Sequence, residues 1–492
     1  MSINDKLVTA IRNYLRIKDP QGLSIEISQI LSFEAEIFKN RIWYRGEPNE
    51  LQEFYSNVDN KTESQHFWSA KPTKGLKIRK IHTGLPGLIV EVLTNVCLND
   101  LYDITLSDRQ DEWDEIAKDN KFNGLLKQCV SRTLALGDGA FKFSYAPEVS
   151  KYPIIEFFDA DRVDFVYDRG RLIEVIFKTK KTLRNNGYVF KEHYRKESIT
   201  YTLENASGKE ADINSFLELA EYQPIKNNAG FIPAVPVIFN PSTKHEGRGQ
   251  SIFSGKYDNF DSLDEVFSQW MLAVRKGQIK EYIPRDFLSR NPFSGTVMQY
   301  NDFDNDFIML EEDGGEGATN KIETTQGIIQ HEALLASYVT ALDLCLQGVI
   351  SPSTLGIDVK KLDNAEAQRE KEKTTLYTRN KVLDTLDDVI KAVVITALKF
   401  SDTLKNKSTD ENIKVTVSHG GYANPSFEAQ IETISKASAA NIMSTEACVD
   451  ELYGNDKDEE WKAEEVKRIK EEKGIIEADE PSIGDEIFDN EE

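Results

Sequence analysis

The chain of 492 residues has 60 Lys and Arg residues against 83 Asp and Glu residues, which gives a formal net charge of −23 and a pI near 4.9. At roughly 150 residues per domain the length predicts about three domains, and a hydrophobic content of 39% is enough for packed cores. The acidic balance excludes a general nucleic-acid binder that neutralises phosphates over its whole surface. Any contact with DNA or RNA must therefore come from a local patch or from shape.

The N-terminus and the cysteines bear on where the chain works. The first residues carry charges at Asp5, Lys6 and Arg12 and no apolar run of seven or more, which is not typical of a secretory signal. No window approaches the ~20 apolar residues of a membrane-spanning helix. Four scattered cysteines without a CxxC pair favour buried free thiols. We expect the chain to work, or to be assembled, in a reducing cytoplasm.

The first 140 residues mix helical and irregular signals. Apolar spacing predicts three helices in this region: Glu26–Phe38, Gly84–Leu98 and Phe122–Leu136. In the second of these, Leu88, Val92 and Val96 are predicted to lie on one face. Residues 40–46 are predicted to form a turn that is rich in aromatic side chains.

Between residues 140 and 240 the apolar pattern becomes alternating, which is typical of strands. Six segments have this character: Phe141–Tyr145, Ile154–Phe158, Val163–Tyr167, Leu172–Lys178, Tyr188–Tyr194 and Ser198–Leu203. Asn186-Gly187 lies between two of them and favours the positive φ angles of a hairpin turn. Phe231–Asn240 contains two prolines, so we expect an edge strand or an extended segment there.

The second half of the chain is predicted to be mainly helical. The helix Tyr257–Lys276 has apolar residues at steps of three and four, acids at its start and bases at its end, an order that suits the helix dipole. Lys280–Gly327 lacks a helical period and separates this helix from a second one, His331–Ile350. Ser351-Pro352 stops the second helix. The remaining predicted elements are a long helix, Asn364–Phe400, and a strand, Ile413–Val417.

Acidity is concentrated in two segments. Residues 454–492 hold 16 acids and 6 bases, and the last 16 residues hold eight acids and no base, so we expect a disordered or interacting tail. Residues 302–323 hold eight acids and one base, a net charge of −7. The other elements are closer to balance.

Three segments approach enzyme motifs without matching them. Gly249 to Lys256 has five residues between its glycines, where a phosphate-binding loop needs four, and lacks the Ser or Thr after Lys. His331-Glu332 lacks the second histidine of a zinc protease helix. The aspartates from Asp302 to Asp313 lack the Gly and the Glu of a calcium loop, which favours an exposed acidic loop and leaves a weak divalent site open. The sequence predicts no catalytic residue and no cofactor or metal site. We therefore expect that the protein is not an enzyme.

Several strings, in their order along the chain, resemble the portal protein of tailed bacteriophages. Near the N-terminus these are Arg41-Ile-Trp-Tyr-Arg-Gly46 and Leu51-Gln-Glu-Phe-Tyr55. Further strings precede the first of the two central helices and begin the long one: Ile232-Pro-Ala-Val-Pro-Val-Ile-Phe-Asn240, Gly249-Gln-Ser-Ile-Phe253, Tyr257-Asp-Asn-Phe-Asp-Ser-Leu-Asp264, Ser353-Thr-Leu-Gly356 and Asn364-Ala-Glu-Ala-Gln368. Residues 442–473 resemble the family's C-terminal helices. No string is decisive alone; the resemblance lies in their shared order.

The resemblance implies a multidomain α+β fold and a ring of about twelve subunits. In such a portal fold the division would be an α/β wing, two stem helices, a small clip insert, a tunnel loop, a long wing helix and a helical crown. Mapped onto this chain, the segments are 1–256 (wing), 257–276 (first stem helix), 277–327 (clip), 328–350 (second stem helix), 351–363 (tunnel loop), 364–420 (long wing helix and strand), 421–476 (crown) and 477–492 (acidic tail).

The resemblance also implies a function. Portals sit at one capsid vertex of the virion, after assembly in the host cytoplasm, and conduct double-stranded DNA during packaging and ejection. The implied partners are the terminase large subunit, the head-completion or adaptor protein, and the capsid and scaffolding proteins, with no membrane. The DNA-facing candidates in the tunnel loop are Ser351, Thr354, Asp358, Lys360 and Lys361. The docking candidates in the clip are Arg285, Asp302, Asp304, Asp306, Glu311, Glu312 and Asp313.

Two other functions stay open at this point. One is a different head-tail adaptor or collar protein, although such adaptors are usually smaller. The other is a cytoplasmic enzyme whose site cannot be seen in the sequence, which would form a small oligomer with a ligand pocket.

Overall fold

The structure is a computed structural model that describes most of the chain and divides it into two compact units, Met1–Gly420 and Gly421–Glu492. The described residues are 32–62, 65–71, 78–99, 101–183, 186–216, 219, 222–227, 230–284, 293–294, 307–310, 323–357, 365–405, 407, 413–419, 427–440, 442–453 and 459–472. Helices and sheets are mixed within the first unit, so the chain has an α+β fold.

The N-terminal part of the first unit is mainly helical. Its elements are α1 (Phe33–Arg45), α2 (Pro48–Thr62), α3 (Leu85–Leu98), strand β1 (Leu101–Leu106), α4 (Gln110–Asp119) and α5 (Phe122–Leu136). The hydroxyl of Ser32 caps α1 by accepting from the N–H of Ala35, and Gly46 ends the helix at φ 71°. Residues 40–45 are therefore helical, and the predicted turn is wrong. The part of the predicted first helix before Ser32 lies outside the described residues.

Helix α3 begins one residue after its predicted start and ends at the predicted residue, and the face with Leu88, Val92 and Val96 is not the face that it buries. Ile89, Leu93 and Cys97 are in the core, whereas Leu88 is exposed. The helix is apolar almost all round, so spacing alone did not distinguish the face that meets the core.

All six predicted strands are confirmed, within a longer series. The strands are β2 (Asp138–Ser144), β3 (Ile154–Asp159), β4 (Val163–Asp168), β5 (Arg171–Leu183), β6 (Asn186–Arg195), β7 (Ser198–Asn205), β8 (Glu210–Ala211), β9 (Ile225–Lys226) and β10 (Ala234–Ile238). They form a three-stranded sheet in the order β10-β2-β3 and a larger sheet in the order β4-β5-β6-β7-β8, with β9 paired to β7.

Two local predictions in these sheets have different outcomes. Strand β10 contains Pro236 and lies at the edge of its sheet, as its prolines predict. The hairpin β5–β6 is present, but Leu183 pairs with Asn186 and Thr182 with Gly187. Asn186 and Gly187 therefore begin β6 and do not form the turn.

The first central helix has its predicted bounds, whereas the second ends at Leu346, four residues before the predicted Ile350 and ahead of Ser351-Pro352. Gln347 leaves the helical conformation there, and Gly348 has φ 74°. Helix α6 is Tyr257–Lys276, and after strands β11 (Lys280–Pro284), β12 (Phe307–Leu310) and β13 (Glu323–Thr325) the chain enters α7, His331–Leu346. The strands form a small sheet in the order β12-β11-β13, which the sequence did not predict. Helix α8, Ala365–Leu404, then runs for 40 residues to β14 (Val415–His419), which pairs with β1.

The core of the first unit lies where α3, α5 and α8 meet the β10-β2-β3 sheet. Leu383, Leu386, Ile390, Val393 and Ala397 recur along α8 at helical spacing and are buried there. The second unit contains α9 (Phe427–Ala439), α10 (Thr445–Tyr453) and α11 (Glu459–Glu472). Within the described ranges, no helix combines the length and the apolar character needed to cross a bilayer.

Candidate assembly surface

Helices α6 and α7 form an antiparallel hairpin in the middle of the chain. Near its base, Asn259 on α6 donates to the carbonyl of Leu344 on α7, at 3.1 Å. Higher up, the rings of Phe267 and Trp270 both lie 5.9 Å from Tyr338. In the sequence, the strands β11–β13 of the small sheet lie between the last residue of α6 and the first residue of α7. The two helices thus run side by side from the core towards the insert.

The base of the hairpin is fastened by carboxylates of α6. Asp264 is fully buried and accepts hydrogen bonds from the indole N–H of Trp68 at 3.2 Å and from both the N–H and the hydroxyl of Thr83 at 2.9 Å. It also contacts Nδ1 of His82 at 2.7 Å. A buried carboxylate with this many donors positions its neighbours and is costly to remove.

Two more residues of α6 extend this contact along the helix. Asp261 accepts from the backbone N–H groups of Phe67 and Trp68, and burial raises the pKa of its carboxyl to about 6. One turn beyond Asp264, the hydroxyl of Ser268 accepts from the N–H of Ile81 at 2.9 Å. We call Asp261, Asp264 and Ser268 the clasp, together with the residues that they bind: Phe67, Trp68, Ile81, His82 and Thr83.

The clasp was not predicted from the sequence. Asp261 and Asp264 are among the acids at the start of α6 whose order suits the helix dipole, but they lie on the core side of the helix, next to the buried Phe260 and Leu263. That position was the available signal, because acids within an apolar stripe need partners. The partners themselves are more than 180 residues away in the sequence and could not be identified from it.

Beyond the clasp, the hairpin exposes apolar side chains. Leu335 on α7 is 48% exposed, Val274 on α6 is 41% exposed, and Ile279 and Ile328 beside the insert are exposed as well. The buried residues of α7 are confined to its last turns, at Leu342, Cys345 and Leu346. No residue of α7 before Leu342 is buried, so the described part of the chain leaves the outer half of the hairpin uncovered.

A shallow groove of about 420 Å³ runs along the other side of the hairpin. Its lining is small and mostly weakly polar: Asn259, Ser262, Ala336, Ser337, Thr340, Ala341 and Leu344. Leu335 and Leu344 are nine residues apart, which at about 100° per residue places them on opposite faces of α7. Helix α7 therefore has two different faces that are open to another helix.

The loop after α7 is tied to the long helix α8. The N–H of Ser351 donates to the hydroxyl of Thr375 at 2.9 Å, and the hydroxyl of Thr354 lies 2.9 Å from the same oxygen. Thr378 donates to the carbonyl of Val349 at 2.7 Å. Ser351 is 2% exposed, so it anchors the loop and does not face solvent; Thr354 is partly buried.

The other sequence-predicted site residues fall outside the described residues. In the loop these are Asp358, Lys360 and Lys361, and in the insert they are Arg285, Asp302, Asp304, Asp306, Glu311, Glu312 and Asp313. Of the predicted set the structure describes Ser351 and Thr354, and both contact Thr375. Among the described residues, no group of three or more His, Cys, Asp or Glu side chains is arranged to hold a metal ion.

Comparisons with known proteins give distant structural neighbours only. No family model and no curated protein matches the sequence. Among solved structures, chains from the neck of a native gene transfer agent (GTA) particle computed with C12 symmetry are 11% identical, with a TM-score of 0.41, over 78% of this chain and 95% of that chain.

Two further neighbours are similar to the same extent. The virion of a native GTA particle gives 11% identity and a TM-score of 0.40 over 79% of this chain and 96% of that chain. The neck of an empty GTA particle computed with C6 symmetry gives 12% identity and a TM-score of 0.42 over 78% of this chain and 95% of that chain. Similarity at this level does not establish a shared fold.

Proposed function

We propose that the chain is the subunit of a portal ring, in which about twelve copies surround a channel that conducts double-stranded DNA into and out of a phage-like capsid. The observation that carries the proposal is the α6–α7 hairpin, which is fastened at its base and exposes apolar side chains beyond it. An exposed apolar stripe on a two-helix projection needs a partner, and the neighbouring copy supplies it.

The order of elements supports the same proposal. A mixed α/β region is followed by a helix, a small sheet, a second helix, a loop and a helix of 40 residues. The resemblance found in the sequence implies this order for wing, stem, clip, tunnel loop and wing helix. The structure adds a folded sheet where the sequence indicated only a non-helical insert.

The two open faces of α7 favour a ring over a simple dimer. A twofold dimer pairs the same face of both copies, whereas a ring pairs one face of each copy with a different face of the next. Leu335 lies on one face of α7, and the groove of small residues around Leu344 lies on the opposite face. The small side chains allow a neighbouring helix to approach closely.

Within this proposal the insert is the docking surface for the terminase large subunit and later for the head-completion protein. A net charge of −7 over residues 302–323 becomes a negative collar when it is repeated around a ring. A negative wall repels DNA phosphates and lets the duplex slide, while it attracts basic surfaces of docking proteins. The protein itself then does not hydrolyse ATP.

Light scattering and negative-stain imaging of the purified full chain test the ring. We expect a particle of about a dozen subunits with a central channel. A chain that stays monomeric or dimeric at all concentrations would overturn the proposal, and a small oligomer with a ligand pocket would favour the enzyme alternative.

Docking is tested separately from assembly. We expect that changing Asp302, Asp304, Asp306, Glu311, Glu312 and Asp313 to their amides leaves the ring intact and weakens terminase binding. The matched control changes six acids of the tail: Glu477, Asp479, Glu480, Asp485, Glu486 and Asp489. Equal loss of terminase binding in both variants would contradict a role for the insert, and loss of the ring in the first would contradict its assignment as clip.

A further inference from the structure

The larger sheet carries a group of exposed basic side chains at one end, in an otherwise acidic protein. The turn between β4 and β5 holds Arg169 and Gly170 at φ 49° and 75°, with Asp168 paired to Arg171 on either side. Positive φ at both central positions is the geometry of a tight hairpin turn, and it places Arg169 at the tip.

The neighbouring strands add to this end of the sheet. Glu174 on β5 pairs with Arg195 at the end of β6, so Arg195 and Lys196 lie beside the start of β5. On the next strand, Ser198 pairs with Lys226 of β9. We call the five exposed residues the basic turn patch: Arg169, Arg171, Arg195, Lys196 and Lys226.

The charge of the patch remains positive after its acidic neighbours are counted. Arg195 lies 3.1 Å from Glu174, which is buried and also contacts His193. The exposed acids of the same turns are Asp168 and Glu197. Five cations with these three carboxylates leave a net charge of +2 at the tip of the sheet, while the whole chain carries −23.

An exposed acidic surface lies on helix α4 and the residues before it. We call it the acidic helix patch: Asp103, Asp108, Asp111, Asp114, Glu115 and Asp119, all exposed. Lys118 on the same helix and Lys121 just after it are exposed. The pKa of Lys151 is raised, first by its hydrogen bond to Tyr152 and then by the charges of Glu115 and Asp119. Arg109 is engaged by Glu112 and by Asp402 of α8. The six acids thus outnumber the three lysines, Lys118, Lys121 and Lys151.

The two patches lie at opposite ends of helix α5. The first residue of α5, Phe122, packs against Trp113 of α4, with ring centroids 5.0 Å apart. Beyond its last residue, Gly137 packs closely on Gly249, and the same loop passes Gly247 next to the ring of Tyr167, at the end of β4. A helix of 15 residues spans about 22 Å. The contacts that place the two patches are therefore separated by about the length of α5, and no ion pair among the described residues joins one patch to the other.

We infer that the basic turn patch of one subunit binds the acidic helix patch of the next copy around the ring. Patches of opposite sign at opposite ends of one protomer are what a head-to-tail contact requires. This contact rests on the proposed ring and extends it beyond the central hairpin. The contact also makes the free energy of assembly depend on salt, because added salt screens exposed charges.

Charge reversal of each patch tests the contact in the full chain. One variant carries Arg169→Glu, Arg171→Glu and Lys196→Glu, and a second carries Asp114→Lys, Glu115→Lys and Asp119→Lys. We expect each to raise the concentration needed for assembly at least about tenfold at low salt. Combining all six substitutions in one chain restores opposite signs, so we expect assembly within about threefold of the wild type.

The control variant reverses three exposed lysines elsewhere: Lys127→Glu, Lys209→Glu and Lys381→Glu. Its assembly should equal that of the wild type, and circular dichroism should show that all variants fold. Wild-type assembly in either single-patch variant, or no rescue in the combined variant, would overturn the contact while leaving the ring in place. A wild-type chain that never assembles would overturn the proposed function and the contact together.

Discussion

The two halves of the α6–α7 hairpin differ in what surrounds them. At the base, Asp264 is fully buried and bonded to residues nearly two hundred positions away, and Leu342 and Leu346 are in the core. In the outer half, Leu335 and Val274 are close to half exposed. The packing of the base is thus complete within one chain, whereas the packing of the outer half would be completed only when another surface covers it. Folding of a single chain therefore accounts for the base, and the proposed assembly accounts for the outer half.

The largest effect is expected from Leu335→Asp in the outer half. A charge placed in an apolar contact between copies must be desolvated without a partner, so we expect ring formation to be lost, a change of at least about a hundredfold in the assembly concentration. Melting of the unassembled chain should change little, because the side chain is already exposed. Native mass spectrometry and thermal denaturation measure the two effects.

Val149→Asp is the control, because that valine is more exposed than Leu335 and lies between β2 and β3. It should leave the ring unchanged. If both variants assemble equally well, the outer half of the hairpin is not an interface.

Asp264→Ala at the base should act on folding. Removal of this carboxylate leaves the donors of Trp68 and Thr83 unpaired, and we expect a loss of about 3 kcal/mol in the free energy of unfolding. Urea denaturation of the unassembled chain measures it. Asp258→Ala, on an 89% exposed side chain of the same helix, should change stability by less than about 0.5 kcal/mol. Similar losses in the two variants would show that the clasp does not hold the base.

The raised pKa of Asp261 predicts that the free energy of unfolding depends on pH through a residue at the base of the hairpin. Its carboxyl pKa is raised from 3.8 to about 6 by burial, so the folded state holds a proton that the unfolded state releases. The stabilisation from this protonated carboxyl is present below pH 4 and is lost as the pH rises to about 6. We expect Asp261→Asn to remove a fall of about 2 kcal/mol over that window. Urea midpoints measured from pH 4 to 7 check this, and identical pH profiles would contradict it.

The smallest effect is expected from Gly277→Ala, where the hairpin meets the insert. A Cβ there would lie 2.3 Å from a side-chain carbon of Ile329, which must shift. We expect a local loss of about 1 kcal/mol. Hydrogen exchange should quicken at the far ends of α6 and α7 and stay unchanged in the clasp. A uniform change along both helices would mean that the two halves are not separable.

The sequence predicted elements with one clear apolar stripe most accurately. The bounds of α6 follow directly from its spacing and from its charged ends, and the bounds of α5 match as well. Helix α4 was missed because five of its ten residues are acids and only Trp113 and Ile116 are buried. The short strands β11–β13 gave no period to detect.

The candidate surface was harder to predict than the fold. Tertiary partners decide that Asp261 and Asp264 are buried, that Ser351 is held by Thr375, and that Leu335 is left uncovered. None of these partners is near in the sequence. Leu342 and Leu335 look equivalent in an apolar stripe, and only the packed core distinguishes them.

Thiol labelling of Leu335→Cys shows directly whether neighbouring copies cover the outer half of the hairpin. The assembled and unassembled fractions of this variant would be treated with a bulky maleimide, with the native Cys448, which is partly exposed, as internal reference. If neighbouring copies cover the outer half of the hairpin, labelling at position 335 falls at least about tenfold on assembly while labelling at Cys448 serves to normalise the rates. Equal labelling at position 335 in both fractions would contradict the account.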